Sequence, residues 1–196
     1  MCDMINKRSA LALLAGVAIL PFAVQKLRGL VDSSPIYTPL LQLHNSPAPI
    51  PLVKFSEESG QNRSLANFFG KHVLVNIWST LCPPCRKEMP SLDRLQDKLG
   101  PISDIQIVAL SLDTIGFDQL RAFYSEIGVH NLAIYKGDEA EVMQSLRIVG
   151  LPTSLFIDHQ GREIGRLIGP TIWDSPVVTD QISKLTVSAP IAQPTG

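Results

Sequence analysis

Cys82 and Cys85 stand three positions apart, and the short apolar run before them ends at Trp78. A Cys-x-x-Cys pair that follows a strand and opens a helix can close to a disulfide or open to a dithiol, which is the arrangement that thiol-disulfide exchange needs. The positive end of the helix dipole favours a thiolate at Cys82, so Cys82 is predicted to attack. Cys85, one turn further on, is predicted to resolve the mixed disulfide. The two cysteines are therefore the predicted redox-active disulfide.

The two residues between the cysteines are Pro83 and Pro84. Prolines are compatible with the first turn of a helix, but they carry no backbone N–H group. A thiolate at Cys82 is therefore left mainly with the amide of Cys85 as a donor. A less stabilised thiolate means a less stable reduced form, so the sequence predicts a reducing couple and not a strongly oxidising one.

Other uses of these cysteines stay open. A dithiol is a soft ligand, so a copper-handling chaperone is an alternative of the binding class. A metal site built by the protein would need a second close pair of ligands. A peroxidatic cysteine would pair Cys82 with Ser79, but Val75 stands where that pattern has proline. The histidines that could supply further ligands are scattered along the chain: His44, His72, His130 and His159. We therefore predict neither a metal nor a cofactor.

The N-terminal 30 residues have the architecture of an export signal. Asn6-Lys7-Arg8 precedes an uncharged, mostly apolar run of 15 residues from Ala10 to Val24, which is short of the roughly 17 to 25 residues of a spanning helix. No Ala-x-Ala-like cleavage site follows, so an uncleaved anchor is favoured over a cleaved signal peptide, and a buried helix is the third alternative. Cys2 precedes the run, and we interpret it as incidental.

Composition limits what else the chain can be. A net charge of -1 with 18% charged residues provides no basic surface, which excludes nucleic-acid binding. A length of 196 residues fits one domain with extensions. We predict a signal-anchor over 1–30, a proline-rich linker over 31–51, the domain over 52–188 and a flexible tail over 189–196.

Short runs rich in β-branched residues alternate with segments of helical periodicity, which predicts an α/β fold. Phe117–Gly128 is the clearest predicted helix, and a last helix is expected near Trp173–Leu185. Gln160-Gly161 predicts a turn into an antiparallel hairpin that ends in Glu163–Ile168. The other predicted strands are His72–Trp78, Ile105–Leu112, Leu132–Tyr135 and Thr153–Asp158.

Residues 55–185 resemble the thioredoxin superfamily, in particular its membrane-anchored extracytoplasmic branch of TlpA and ResA-like proteins. Asn76–Pro90 is similar to the active-site segment of that branch, Phe68–Val75 to its lead-in, and Gly150–Ser154 to the cis-proline loop. The resemblance implies a thioredoxin-like α/β fold, in which helices flank a central mixed sheet. It also implies an extra helix-strand insertion between the Cys-x-x-Cys helix and the cis-proline loop, at 117–135.

The resemblance assigns a substrate-binding role to Leu151 and Pro152. Pro152 would be cis and face the sulfur of Cys82, and the backbone of Leu151 would pair with an extended substrate strand. An ordinary turn proline is the alternative. Cytochrome c maturation reductases of the CcmG type have an acidic residue after this proline, where the chain has Thr153, so the TlpA-like assignment is favoured.

Two departures from cytoplasmic thioredoxin bear on catalysis. Asn76 stands where thioredoxin has its buried aspartate, and Leu81 replaces the tryptophan before the first cysteine. Glu88 resembles the active-site glutamate of the branch and would accept the proton of Cys85; a solvated helix carboxylate is the alternative. The resemblance adds three residues as support for the active site: Trp78, Pro83 and Pro84.

The resemblance implies a thiol-disulfide oxidoreductase that reduces exported, disulfide-bearing clients, such as cytochrome oxidase copper-site assembly factors or apocytochrome c. An upstream membrane thiol reductant would restore the dithiol. The chain is expected to be a monomer, anchored once in the inner membrane with its domain on the periplasmic side, or else secreted to the periplasm after cleavage. A disulfide oxidase or isomerase is the remaining enzymatic alternative.

Overall fold

The computed structural model describes residues 38–99 and 104–187. The predicted signal-anchor, Cys2 and the predicted tail lie outside these residues. Within them, no helix combines the length and the apolar character that a membrane crossing requires.

The strands of the described domain are β1 Gln42–Pro49, β2 Lys54–Glu57, β3 Asn62–Ser64, β4 His72–Trp78, β5 Ile105–Ser111, β6 Tyr135–Gly137, β7 Thr153–Ile157 and β8 Arg162–Ile168. They form one mixed sheet in the order β1-β8-β7-β4-β5-β6-β2-β3. The β4–β5 and β5–β6 pairs are parallel, and all the other pairs are antiparallel. This arrangement confirms the predicted thioredoxin-like mixed sheet.

The helices are α1 Pro83–Leu99, α2 Phe117–Glu126, α3 Glu139–Ser145 and α4 Pro176–Val187, with a 3-10 turn at Leu65–Phe68. Gly128 follows α2 with a φ of 71°, a left-handed conformation that glycine adopts without steric cost. The helix predicted over 117–128 and the last helix are therefore present. The segment expected to hold the extra helix-strand insertion contains α2 and the first residue of β6.

The core lies on both faces of β4, whose seven residues are all buried. Leu74 and Trp78 face one hydrophobic cluster together with Met89 of α1. Val75 and Ile77 face a second cluster on the other side of the sheet. A strand that is covered on both faces reads as a continuous apolar run, which is why β4 could be predicted residue for residue.

The hairpin of β7 and β8 was predicted from its turn, and the structure confirms it. Gly161 has a φ of 77°, and a Cβ atom there would come within 2.4 Å of the ring of Phe69. Glycine is thus required both by the backbone conformation and by the close approach of that ring.

The predicted strand Leu132–Tyr135 is wrong in its position, since β6 begins only at Tyr135. Leu132 and Ile134 are buried in the core, but as part of a loop. The carboxylate of Asp93 on α1 accepts hydrogen bonds from the amides of His130, Asn131 and Leu132. A side chain thus satisfies these backbone groups, and no strand ladder is needed there.

The interpretation of 31–51 as a spacer is wrong for residues 42–49. These residues form β1, which pairs with β8 at the edge of the sheet, with an irregularity between Leu43 and Ala48. Proline is tolerated on an edge strand or at a bulge because no neighbour needs its missing N–H group. Pro47 and Pro49 are therefore compatible with an edge strand, although the proline content of this segment had predicted a spacer.

Candidate active site

The structure joins Cys82 and Cys85 in a disulfide with an S–S distance of 2.07 Å. β4 delivers the chain to this point, and α1 begins at Pro83, directly after Cys82. Cys82 is half-buried, whereas Cys85 is fully buried. The sulfur predicted to attack is therefore the more accessible of the two.

The amides near Cys82 Sγ agree with the expectation drawn from Pro83 and Pro84. The N–H of Cys85 donates to Cys82 Sγ over 3.3 Å. The N–H of Leu81 instead donates to Ser79 Oγ, and the N–H of Cys82 to the carbonyl oxygen of Ser79. The amide of Cys85 is therefore the donor to Cys82 Sγ, as the two prolines predicted.

Asp113 holds the turn that precedes Cys82. Its carboxylate accepts hydrogen bonds from Ser79 Oγ at 2.9 Å, from the N–H of Thr80 at 2.9 Å and from Thr80 Oγ1 at 2.7 Å. Sequence reasoning missed this residue. The signal was available, because the carboxyl ends of the parallel strands β4 and β5 meet at one edge of the sheet.

A cleft of about 410 Å³ opens beside Cys82, and its lining includes Leu81, Asp113, Ile115 and Leu151. The Leu81 side chain is 88% exposed. An exposed apolar residue at the rim of a cleft that contains a reactive sulfur is suited to contact a polypeptide substrate.

The Leu151–Pro152 peptide bond is cis, as the resemblance implied. Pro152 is buried, and Leu151 is half-buried and lines the same cleft as Cys82. The carbonyl oxygen of Pro152 accepts a hydrogen bond from the N–H of Gly169. The loop is thus joined to the end of β8 while Leu151 remains at the cleft.

Glu88 is buried on α1, so the interpretation as a solvated helix carboxylate is wrong. Its oxygens accept hydrogen bonds from Asn76 Nδ2 at 2.7 Å, from the N–H of Thr171 at 3.1 Å and from Trp173 Nε1 at 3.3 Å. Burial raises the pKa of Glu88 to about 7, although these donors oppose the shift. A carboxyl with a pKa near neutrality is suited to accept and return a proton.

Trp78 lies beneath the site and does not line the cleft. Its ring is fully buried and stacks on Phe123 with a centroid distance of 5.6 Å. Trp78 therefore contributes a packing contact between β4 and α2. Thr171 and Trp173, the partners of Glu88, were also missed, because they lie more than 80 positions further along the chain.

A family model described as Redoxin matches residues 45–182. The thiol-disulfide oxidoreductase ResA of Bacillus thuringiensis subsp. konkukian is 33% identical over 111 residues, which cover 56% of this chain and 62% of that protein. The thioredoxin-like protein YneN of Bacillus subtilis is 29% identical, with coverages of 53% and 59%. The match thus spans less than two thirds of the length of these relatives.

Solved structures show the same fold. A putative thiol:disulfide interchange protein DsbE from Chlorobium tepidum has a TM-score of 0.62 at 22% identity and covers 72% of this chain and 97% of its own. A thiol:disulfide interchange protein from Bacteroides sp. has a TM-score of 0.59 at 26% identity, with coverages of 74% and 91%.

Proposed function

This chain belongs to the redoxin family, and on that premise we propose that it is a thiol-disulfide oxidoreductase whose redox-active pair is Cys82 and Cys85. The observation that carries the proposal is the placement of this disulfide at the start of α1, with Cys82 at an open cleft and Cys85 buried behind it. A low-potential pair in such a position acts as a reductant of other disulfides.

The reaction begins with the reduced pair. The thiolate of Cys82 attacks one sulfur of a client disulfide, a mixed disulfide forms, and the other client sulfur leaves as a thiolate. Cys85 then loses its proton and attacks Cys82 Sγ, so that the Cys82–Cys85 bond forms and the second client thiolate leaves. Two electrons pass to the client, and an external dithiol must reduce the pair again.

Glu88 is the proposed acceptor of the Cys85 proton. It lies three positions after Cys85 on α1, which places both side chains on one face of the helix. Its pKa of about 7 allows the carboxylate to take up a proton at neutral pH and release it when the pair is reduced again.

Leu151 and Pro152 are the proposed substrate-binding residues. Leu151 lines the cleft together with Cys82, so a client strand laid along this loop would bring its disulfide to the attacking sulfur. Backbone pairing of this kind tolerates many client sequences, because the hydrogen bonds involve no side chains.

The proposal extends to location and clients. The apolar segment after Asn6-Lys7-Arg8 supports an anchor in the inner membrane with the domain on the periplasmic side, or export followed by cleavage. The proposed clients are exported disulfide-bearing proteins, such as cytochrome oxidase copper-site assembly factors or apocytochrome c, with a membrane thiol reductant upstream. The missing amides at Pro83 and Pro84 support the reducing direction.

The full chain, its Cys82→Ser variant and its Cys85→Ser variant are compared in the reduction of insulin disulfides. We expect Cys82→Ser to be inactive, and Cys85→Ser to trap a mixed disulfide at Cys82 that mass spectrometry detects. The reduction potential in glutathione and dithiothreitol buffers should lie nearer to about −270 mV than to about −120 mV, the values of thioredoxin and of a strong oxidant.

Full activity of Cys82→Ser would contradict the proposed nucleophile, and a potential near the oxidising value would contradict the reducing direction. The Cys2→Ser variant is the matched control, because it removes the third thiol and leaves the pair intact. Its activity should equal that of the unaltered chain.

A further inference from the structure

Asp113 is a buried carboxylate with four donors directed at it. Besides the two donors of Thr80 and the hydroxyl of Ser79, Ser111 Oγ donates to Asp113 Oδ2 over 2.7 Å. Ser111 is the last residue of β5 and pairs with Trp78 in the parallel register. The end of β5 therefore holds the carboxylate in place, and the carboxylate holds the turn.

The hydrogen bonds continue from Ser79 to the cysteine. Ser79 Oγ accepts from the N–H of Leu81 at 3.2 Å, and the carbonyl oxygen of Ser79 accepts from the N–H of Cys82 at 3.1 Å. A displacement of Ser79 would therefore displace both Leu81 and Cys82. The turn therefore connects Asp113 to the residue that carries the sulfur proposed to attack.

The charge of Asp113 also bears on the sulfur. In the described parts of the chain, no lysine or arginine forms an ion pair with Asp113. Cys82 and Asp113 line the same cleft, and a nearby negative charge disfavours the ionised form of a thiol. The charge of Asp113 and the missing amide donors at Pro83 and Pro84 both disfavour the thiolate of Cys82.

We propose that Asp113 is a positioning residue of the exchange reaction: it fixes the turn from Ser79 to Cys82, and its buried charge keeps the thiolate fraction of Cys82 low. The inference rests on the proposed function of the Cys82–Cys85 pair, and it adds a residue that sets the reactivity of that pair.

Two substitutions separate position from charge. In Asp113→Asn, the amide nitrogen can donate to the hydroxyl oxygens of Ser79 and Thr80, while the amide oxygen still accepts from the N–H of Thr80. This variant keeps the turn and loses the charge. Asp113→Ala loses both.

The effect of the Asp113 charge on Cys82 is measured by the rate at which iodoacetamide alkylates Cys82 at pH 7 in the reduced full chain. Mass spectrometry of the Cys82 peptide separates this reaction from that of Cys2. We expect Asp113→Asn to react about threefold faster, because the thiolate is the reactive species. An unchanged rate would overturn the proposed effect of the charge.

The readout of position is kcat/KM for insulin reduction. Asp113→Asn should retain it within about twofold, and Asp113→Ala should lose about tenfold, because misplacement of a nucleophile is costly. Equal kcat/KM values for the two variants would overturn the positioning role. Failure of the unaltered chain to exchange disulfides would instead overturn the proposed function, whatever the alkylation rates.

Glu139→Gln is the matched control for charge. Glu139 also lines the cleft, but it is exposed, and water screens its charge. We expect its removal to change the alkylation rate of Cys82 by less than about twofold. A rise as large as that of Asp113→Asn would assign the effect to net charge and would contradict the specific role of Asp113.

Discussion

Glu88 is a buried carboxylate on the same helix as the redox pair. Between pH 6 and 8 its ionised fraction rises, because burial raises its pKa to about 7. If the carboxylate accepts the Cys85 proton, resolution of the mixed disulfide should accelerate with pH through this range. In Glu88→Gln that inflection should be absent, and the rate at pH 8 should fall about tenfold to a hundredfold. Stopped-flow measurement of client release checks both effects.

The fold should tolerate Glu88→Gln. Asn76 Oδ1 is buried and has no hydrogen-bond partner among the described residues, so a flipped Asn76 amide could accept from the new amide of Gln at position 88. Asp97→Asn, at an exposed position further along α1, is the control. An inflection near pH 7 that persists in Glu88→Gln would exclude Glu88 as the proton acceptor.

The Cys82–Cys85 disulfide and the cis peptide bond at Pro152 could be predicted from the sequence because each lies in a local motif. Asp113 lies in no such motif, and its only signal in the sequence is its place just after the parallel strand β5. Its contact with Thr80 depends on the register that places Trp78 opposite Ser111 in β4 and β5, and register is a property of the assembled sheet. Trp173 meets Glu88 for a similar reason, since only the packing of the chain after β8 against α1 joins them.

At the scale of elements, β4 could be predicted from the local sequence, whereas β1 and the position of β6 could not. The apolar run of β4 is set by burial on both faces, so its bounds could be read from the residues. β1 is exposed along its whole length and is held by backbone pairing with β8, which leaves no hydrophobic pattern. β6 has three residues, and the apolar residues before it are buried without being a strand.

Asp93 is predicted to stabilise the loop before β6. Asp93 lies buried on α1 and accepts four hydrogen bonds from residues 130–132. Asp93→Ala leaves the buried amide of Leu132 and the partly buried amides of His130 and Asn131 without an acceptor, so we expect the free energy of unfolding to fall by about 2 to 3 kcal/mol. Urea denaturation of the oxidised protein measures the change.

Asp97→Ala is the matched control on the same helix, because Asp97 is exposed and its removal should leave the stability unchanged within error. If Asp93→Ala lowers the free energy of unfolding no more than Asp97→Ala does, the loop holds its conformation without the carboxylate. The apolar contacts of Leu132 and Ile134 would then be the dominant constraint.

At the scale of the whole molecule, β4 carries a buried histidine at the end opposite the redox pair. His72 begins β4, stacks on Phe156 and meets the edge of His159 at a centroid distance of 5.6 Å. Both ring nitrogens of His72 are buried. Burial lowers the pKa of His72, His159 lowers it further, and Asp104 and Asp158 oppose the shift.

The two buried groups therefore respond to acid in opposite directions. Below about pH 6.5, the unfolded chain binds a proton at His72 that the folded chain resists, so acid removes stability through His72. Between about pH 4.5 and 7, folded Glu88 retains a proton that the unfolded chain releases, because its folded pKa is raised, so acid adds stability through Glu88. The contributions of His72 and Glu88 to the pH dependence of unfolding therefore oppose each other.

His72→Phe removes the first contribution and leaves the second. Relative to the unaltered chain, we expect the variant to gain stability as the pH falls from 7.5 to 5, with an upper bound of about 1.4 kcal/mol for each unit by which burial lowers the pKa of His72. Urea denaturation at both pH values measures this difference, and His130→Gln, at an exposed position, is the control. A stability difference between His72→Phe and the unaltered chain that is the same at pH 5 and pH 7.5 would show that His72 is not the group through which acid weakens the fold.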